Sequence, residues 1–173
     1  MKQIMLVVIL ATANSTFARL GDTQKEFEQK TPDLKYFSES PGDQPNTVVR
    51  RYEGGGLVAQ IVFADGKDIM EAYSALSGEK FPESSLVPVA KSHGYDFSTL
   101  EKVSGSVPWK DRVLHHDFWF SPDHKFCVGI GDVRMDDSKI VSTITVAGEQ
   151  VAPTYIKIRQ KREVMNQRKC RQR

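Results

Sequence analysis

The chain holds 173 residues, 39% hydrophobic and 27% charged, a balance that suits a globular domain and excludes a collagen-like, low-complexity or wholly disordered polypeptide. Its formal net charge of +2, from 24 basic and 22 acidic residues, excludes a uniformly polycationic chain. Two cysteines, Cys127 and Cys170, are too few for a disulfide scaffold.

Residues 1–18 read as a secretory signal peptide. Met1-Lys2 supplies the positive start, Ile4 to Ala13 the apolar run, and Thr16-Phe17-Ala18 the small residues that a signal peptidase reads, so cleavage is expected after Ala18. An apolar run of about ten residues is half of what spans a bilayer. The competing reading is an uncleaved amino-terminal anchor. Export predicts a periplasmic or secreted protein, with no transmembrane segment once the leader is gone.

The next residues carry a helix signal. Thr23 is placed to cap and Glu26 to reach back to the freed backbone donors, a capping box; Phe27 is the apolar anchor and Pro32 ends the helix. Residues 38–46 are turn formers in a row and predict a loop. Thr47 to Tyr52 alternates as a strand, Glu53 to Gly56 turns, and Leu57 to Ala64 puts Leu57, Ala59, Ile61 and Phe63 on one face. Asp65-Gly66 is a hairpin signal, so Asp68 to Ala75 is expected to return as a strand, although its composition also suits a helix.

A second unit starts at Pro82. Glu83 to His93 reads as a helix ending at Gly94, with Pro88 forcing a late start or a kink. Phe97 to Val103, Arg112 to Phe120, Phe126 to Val133 and Ile140 to Ala147 read as strands, joined by turns at Ser121 to His124 and Asp136 to Ser138. The expected fold class is therefore α+β: an antiparallel sheet of about six or seven strands with two short helices on one face, in a loose tandem duplication. The expected organisation is one domain over residues 19–152, built of helix-and-meander units at 19–76 and 82–148, followed by a basic tail at 153–173.

The opening Arg19-Leu20-Gly21-Asp22-Thr23 with Glu26, and the later Phe63-Ala64-Asp65-Gly66-Lys67, resemble small exported bacterial proteins of unassigned function. The helix-then-meander order distantly resembles outer-membrane assembly lipoproteins and tandem-repeat β-lactamase-inhibitor proteins. Those families bind other proteins and catalyse nothing, so the resemblance implies a binding module. The chain departs from the lipoproteins in having no cysteine to lipidate near the cleavage site.

Catalytic signals are sparse. His115-His116-Asp117, with His124 and the more distant His93, is the one cluster that suggests metal or acid–base chemistry. On a strand His115, Asp117 and Trp119 share a face while His116 points away, so the adjacent histidines cannot hold one ion together. Cross-strand hydrogen bonding is the competing role. Trp119, beside two polar residues, reads either as a partly exposed binding platform or as core. Gly129-Ile130-Gly131 lacks the rest of a dinucleotide fingerprint, and no cofactor or metal is expected. Cys127 reads as a small buried apolar residue or as a partner for Cys170.

The tail is the electrostatic feature. Lys157, Arg159, Lys161, Arg162, Arg168, Lys169, Arg171 and Arg173 face Glu163 alone, a net of +7. The stretch from Arg19 to Ile156 holds 15 basic and 21 acidic residues, a net of −6. Such polarity predicts attachment of the tail to an anionic envelope polymer, a lipid surface or another envelope protein, with the protein's own acidic body or plain solvation as competing readings. Nucleic acid is not an expected partner of an exported protein. The functional expectation is an exported, non-enzymatic binding or envelope-associated protein; the alternative is a small exported hydrolase or metal-dependent enzyme centred on His115 and Asp117.

Overall fold

The computed structural model describes residues 19–109, 112–134 and 140–152, with the side chains of 106–109, 112–115 and 134 outside the description. Residues 1–18, expected to be a signal peptide, and the basic tail, with Lys157, Arg159, Lys161, Arg162, Arg168 and Lys169, lie outside the described residues.

The described chain folds as α+β around one antiparallel sheet. Helix α1 (Gln24–Lys30) precedes strands β1 (Lys35–Pro41), β2 (Thr47–Gly54), β3 (Leu57–Ala64) and β4 (Lys67–Ala75). A single 3₁₀ turn (Glu83–Ser85) leads into α2 (Leu86–Ser92), followed by β5 (Glu101–Trp109), β6 (Arg112–Phe120), β7 (Cys127–Arg134) and β8 (Ile140–Ala147). The sheet runs β1-β2-β3-β4-β8-β7-β6-β5, so the two four-strand meanders meet through their last strands, β4 and β8.

Eight strands stand where six or seven were expected. The strand missed entirely is β1, whose Ser38-Glu39-Ser40-Pro41 reads as turn chemistry. It pairs with β2 at the edge of the sheet, is exposed along its whole length, and slips register at Phe37. Edge strands tolerate proline and charge because one side of their backbone needs no partner. The expected strand at Phe97 to Val103 starts later than expected: a 3₁₀ turn at Phe97–Thr99, capped by Asp96, takes its first residues, and β5 begins at Glu101.

The capping box of α1 is present: Thr23 accepts from the Glu26 N–H, and the Thr23 N–H donates to Glu26 Oε2 at 2.7 Å. This helix buries one side chain, Phe27, against Tyr52, Ala59, Ile61, Phe63 and Tyr73. α2 has no side-chain cap but buries Leu86, Val89 and Ala90. They pack on Trp119, Val128, Ile144 and Val146. Pro88 falls in the first turn of α2, where its missing N–H would have had no intrahelical acceptor, so the helix starts late.

Cross-strand register puts both helices on the same face. Residues directly opposite one another share a face, so Tyr52, Ala59, Tyr73, Ile144, Ile130 and Asp117 form one row across the sheet. The opposite, helix-free face carries Val49, Gln60, Val62, Met70 and Ala72, and Val62 and Met70 pack against an apolar cluster that includes Phe120, Cys127, Ala147 and Val151.

Candidate functional site

Two features converge on β4, one on each face of the sheet. Residues of a regular strand alternate, so Asp68 and Glu71, three apart, belong on opposite faces. β4 breaks that rule. Val62 stands opposite Met70 and Phe63 opposite Asp68, leaving Ile69 as an extra residue in a bulge. The bulge swings Asp68 and Glu71 together under the helices.

There both acids are sealed, Asp68 1% and Glu71 0% exposed. The two carboxyl groups act on one another, and a proton on one of them would let it donate to the other. Asp68 Oδ1 accepts from the Met70 N–H at 3.0 Å, and the Tyr73 hydroxyl donates to Glu71 Oε2 at 2.8 Å. The imidazole of His93, from the end of α2, closes the group with Nε2 3.8 Å from Glu71 Oε1. Its Nδ1 lies 2.9 Å from the Val89 carbonyl, and only a protonated Nδ1 can donate to that oxygen. Nε2 of the neutral ring is then an acceptor aimed at a carboxyl group. Among the described residues four buried polar side-chain atoms have no hydrogen-bond partner, and Asp68 Oδ2, Glu71 Oε1 and His93 Nε2 are three of them.

The electrostatics follow from burial. Loss of water, then the nearby Glu71 charge, raises the Asp68 carboxyl to about 10. Burial also raises Glu71 to about 7, opposed by the hydrogen bonds from Asp68 and Tyr73. Burial lowers the His93 imidazole, opposed by its bond to the Val89 carbonyl. Burial therefore favours a proton on the pair, beside an imidazole whose Nε2 faces Glu71. Asp22 and Lys30, paired at 2.6 Å, also act on Glu71, and Asp22 and Arg19 act on His93. Among the described residues no set of three His, Cys, Asp or Glu side chains has the geometry to hold a metal ion.

On the helix-free face the same strand floors a cleft of about 350 Å³. Val49, Val62, Ile69, Met70, Ala72 and Val151 line its apolar part. Asp43, Gln44, Thr47 and Gln60 supply the polar rim. The volume lies at the low end of ligand sites and suits a few aliphatic side chains.

The residues singled out from the sequence are placed elsewhere. Asp117 Oδ2 is 3.2 Å from Lys102 Nζ, which also reaches Glu83 Oε2 at 3.1 Å. Trp119 is 5% exposed; Phe97 packs on it, and the Lys102 ammonium sits 4.6 Å from its ring centroid. Its exposed-platform reading is corrected, because the turn at Phe97–Thr99 and the Lys102 stem cover the ring. His115 lies opposite Ser106 on β5, with its side chain outside the described residues. His116 lies across from Gly131, and Phe118 from Gly129. A Cβ at either glycine would collide with the facing ring, so Gly129-Ile130-Gly131 makes room for cross-strand aromatic packing. Cys127 is a free, fully buried thiol, and burial pushes its ionisation up to about 12, far from a nucleophile's range.

Sequence reasoning missed Asp68 and Glu71 because the bulge that joins them is a property of pairing with β3. The available signal was two acids in a segment that otherwise reads as buried strand. His93 was noted only as a distant member of another group.

No family model matches the sequence, and no curated protein matches it significantly. Among solved structures, a cysteine-rich secretory protein from Staphylococcus aureus is similar over 76% of this chain and 45% of that one, at 7% identity and a TM-score of 0.36. The chain thus spans less than half the length of that protein, and so distant a likeness carries no argument about fold or function.

Proposed function

We propose that this protein is an exported, non-enzymatic binding module that takes aliphatic side chains of a protein partner into the cleft on its helix-free face. The single observation that carries the reading is the apolar floor built by β2, β3 and β4 beside Val151, open to solvent and rimmed by neutral and acidic groups. The signal-peptide pattern of residues 1–18 and the absence of a helix long enough to cross a membrane among the described residues are consistent with export. The repeated order of one helix and four strands supports kinship with tandem-repeat inhibitor-like or assembly-lipoprotein-like binding domains. The basic tail, Lys157 to Arg173, adds electrostatic attachment to an anionic envelope surface.

The enzymatic alternative draws less support. Asp117 is engaged with Lys102, and Trp119 is part of the core.

The test uses the dye anilinonaphthalene sulfonate as an apolar probe of the full chain. Val62→Lys, which places a charge on the cleft floor at a half-buried position, is expected to weaken probe binding by about tenfold, or 1.4 kcal/mol. Asp117→Asn is expected to leave it unchanged. Equal binding by all three proteins, with native circular dichroism, would remove the cleft from consideration.

A further inference from the structure

We propose that the sealed Asp68–Glu71–His93 cluster is a proton-operated latch that regulates the cleft on the opposite face of β4. The inference rests on reading that cleft as the binding site, and it follows from how the Ile69 bulge is fastened.

The peptide unit between Ile69 and Met70 is held at both ends. At one end the Asp68 carboxyl accepts the Met70 N–H. At the other the Ile69 carbonyl accepts the Gly148 N–H at 3.1 Å. Gly148 in turn anchors the next turn, accepting from the N–H groups of Val151 and Ala152 at 3.0 and 2.8 Å. Ile69, Met70 and Val151 all line the cleft. A shift of the Asp68 carboxyl is therefore passed through one peptide unit to three cleft residues.

Proton count decides whether that carboxyl stays in place. With two protons on the three groups the cluster is neutral: one proton joins Asp68 to Glu71, and the second lies between Glu71 and His93 Nε2. With one proton the cluster holds a buried negative charge, and Glu71 Oε1 faces the His93 lone pair, acceptor against acceptor. Among the described residues, and apart from the proton it can share with Asp68, Glu71 accepts from the Tyr73 hydroxyl. The Lys30 ammonium is already committed to Asp22, whose own carboxylate accepts from the Arg19 N–H at 2.6 Å. The other residues across from the acids are apolar: Ile61 and Val146 beside Glu71, and Phe63 beside Asp68. An uncompensated buried charge is costly enough that the group moves or admits water. The outlets are the end of α2, which carries His93, and the amino-terminal segment, whose Gly21 N–H and Asp22 carbonyl bond the Asp68 backbone at 2.7 and 2.8 Å. The second proton leaves around pH 7, the value to which burial raises Glu71.

The test is a pH titration of the full chain from about pH 5 to about pH 9. It follows the Ile69 and Met70 methyl resonances and the His93 ring nitrogens, together with binding of anilinonaphthalene sulfonate. In the wild type the methyls and the imidazole are expected to move together near pH 7, and probe affinity to change by at least about fivefold across that midpoint. Glu71→Gln keeps shape but cannot ionise, and should abolish the step in all three readouts. Asp117→Asn should retain it. Methyl signals that stay flat in the wild type, or a step that survives in Glu71→Gln, would overturn the latch. If Glu71→Gln fails to fold, His93→Gln serves as the second variant: its side-chain amide can donate to Glu71 where the neutral imidazole cannot, so the methyl and probe steps are expected to move to lower pH, and steps left at the wild-type midpoint would overturn the latch. Failure of the probe to bind at any pH while the methyls still titrate would remove the cleft reading and leave a latch without a ligand site. Binding that is indifferent to pH would remove the latch and leave the cleft.

Discussion

The two helix-and-meander units are built alike in order and unlike in what holds their helices. α1 is written into its own sequence: a complete capping box, an acid in the first turn, a lysine in the last, and one deep anchor at Phe27. α2 has no side-chain cap and a proline in its first turn, yet it buries three residues and seats them on strands from both units. Local signals suffice for a helix that touches one side of the sheet. The helix lying over the junction of β4 and β8 is decided by packing, which overrides weak propensity.

Breaking the apolar anchors separates the units first. Phe27→Ala removes the only buried side chain of α1 and is expected to cost about 3–5 kcal/mol, against about 2–5 kcal/mol for Leu86→Ala in α2. Urea denaturation of the two variants measures both. If Leu86→Ala also lowers the protection of the Asp22 and Asp68 backbone amides while Phe27→Ala does not, α2 is the element that binds the units together.

Acidity probes the junction itself. Burial raises both carboxyls in the folded protein, so their contribution to stability is fully present below the unfolded values and lost as pH rises through the folded ones. His93, lowered on folding, acts oppositely below its ordinary value of 6.5. The two raised carboxyls outweigh the one imidazole, so stability is predicted to fall from about pH 4.5 to pH 7. Glu71→Gln should make this slope shallower, because it removes one of the two raised carboxyls while His93 still opposes the other. Denaturation midpoints measured at several pH values check it, and a wild-type slope of zero or rising would contradict the cluster's ionisation.

The smallest effect is local. Thr23→Ala removes the side-chain half of the capping box and should cost about 1 kcal/mol, read as a lower thermal midpoint and greater exchange of the Glu26 amide. Thr23→Ser should restore both.

Much of the architecture was legible from residue order. Alternation placed β2, β3, β4 and β6 to β8, and the Asp65-Gly66 hairpin correctly chose strand over helix for Lys67–Ala75. Strand β1 was not legible, since its residues favour turns and only the open side of an edge makes them acceptable. Trp119 was assigned to its strand face correctly, but the residues that cover it come from Phe97 and Lys102, which sequence spacing cannot place.

Sequence alone determined the α+β class, the antiparallel pairing within each meander and the cap of α1, because these depend on periodicity and on contacts within a few residues. Tertiary structure decided the join of β4 to β8, the bulge at Ile69, and therefore the meeting of Asp68, Glu71 and His93. A bulge inverts the facing of every residue beyond it, and whether one forms depends on the register of the neighbouring strand. That register is settled only when the helices bury one face of the sheet.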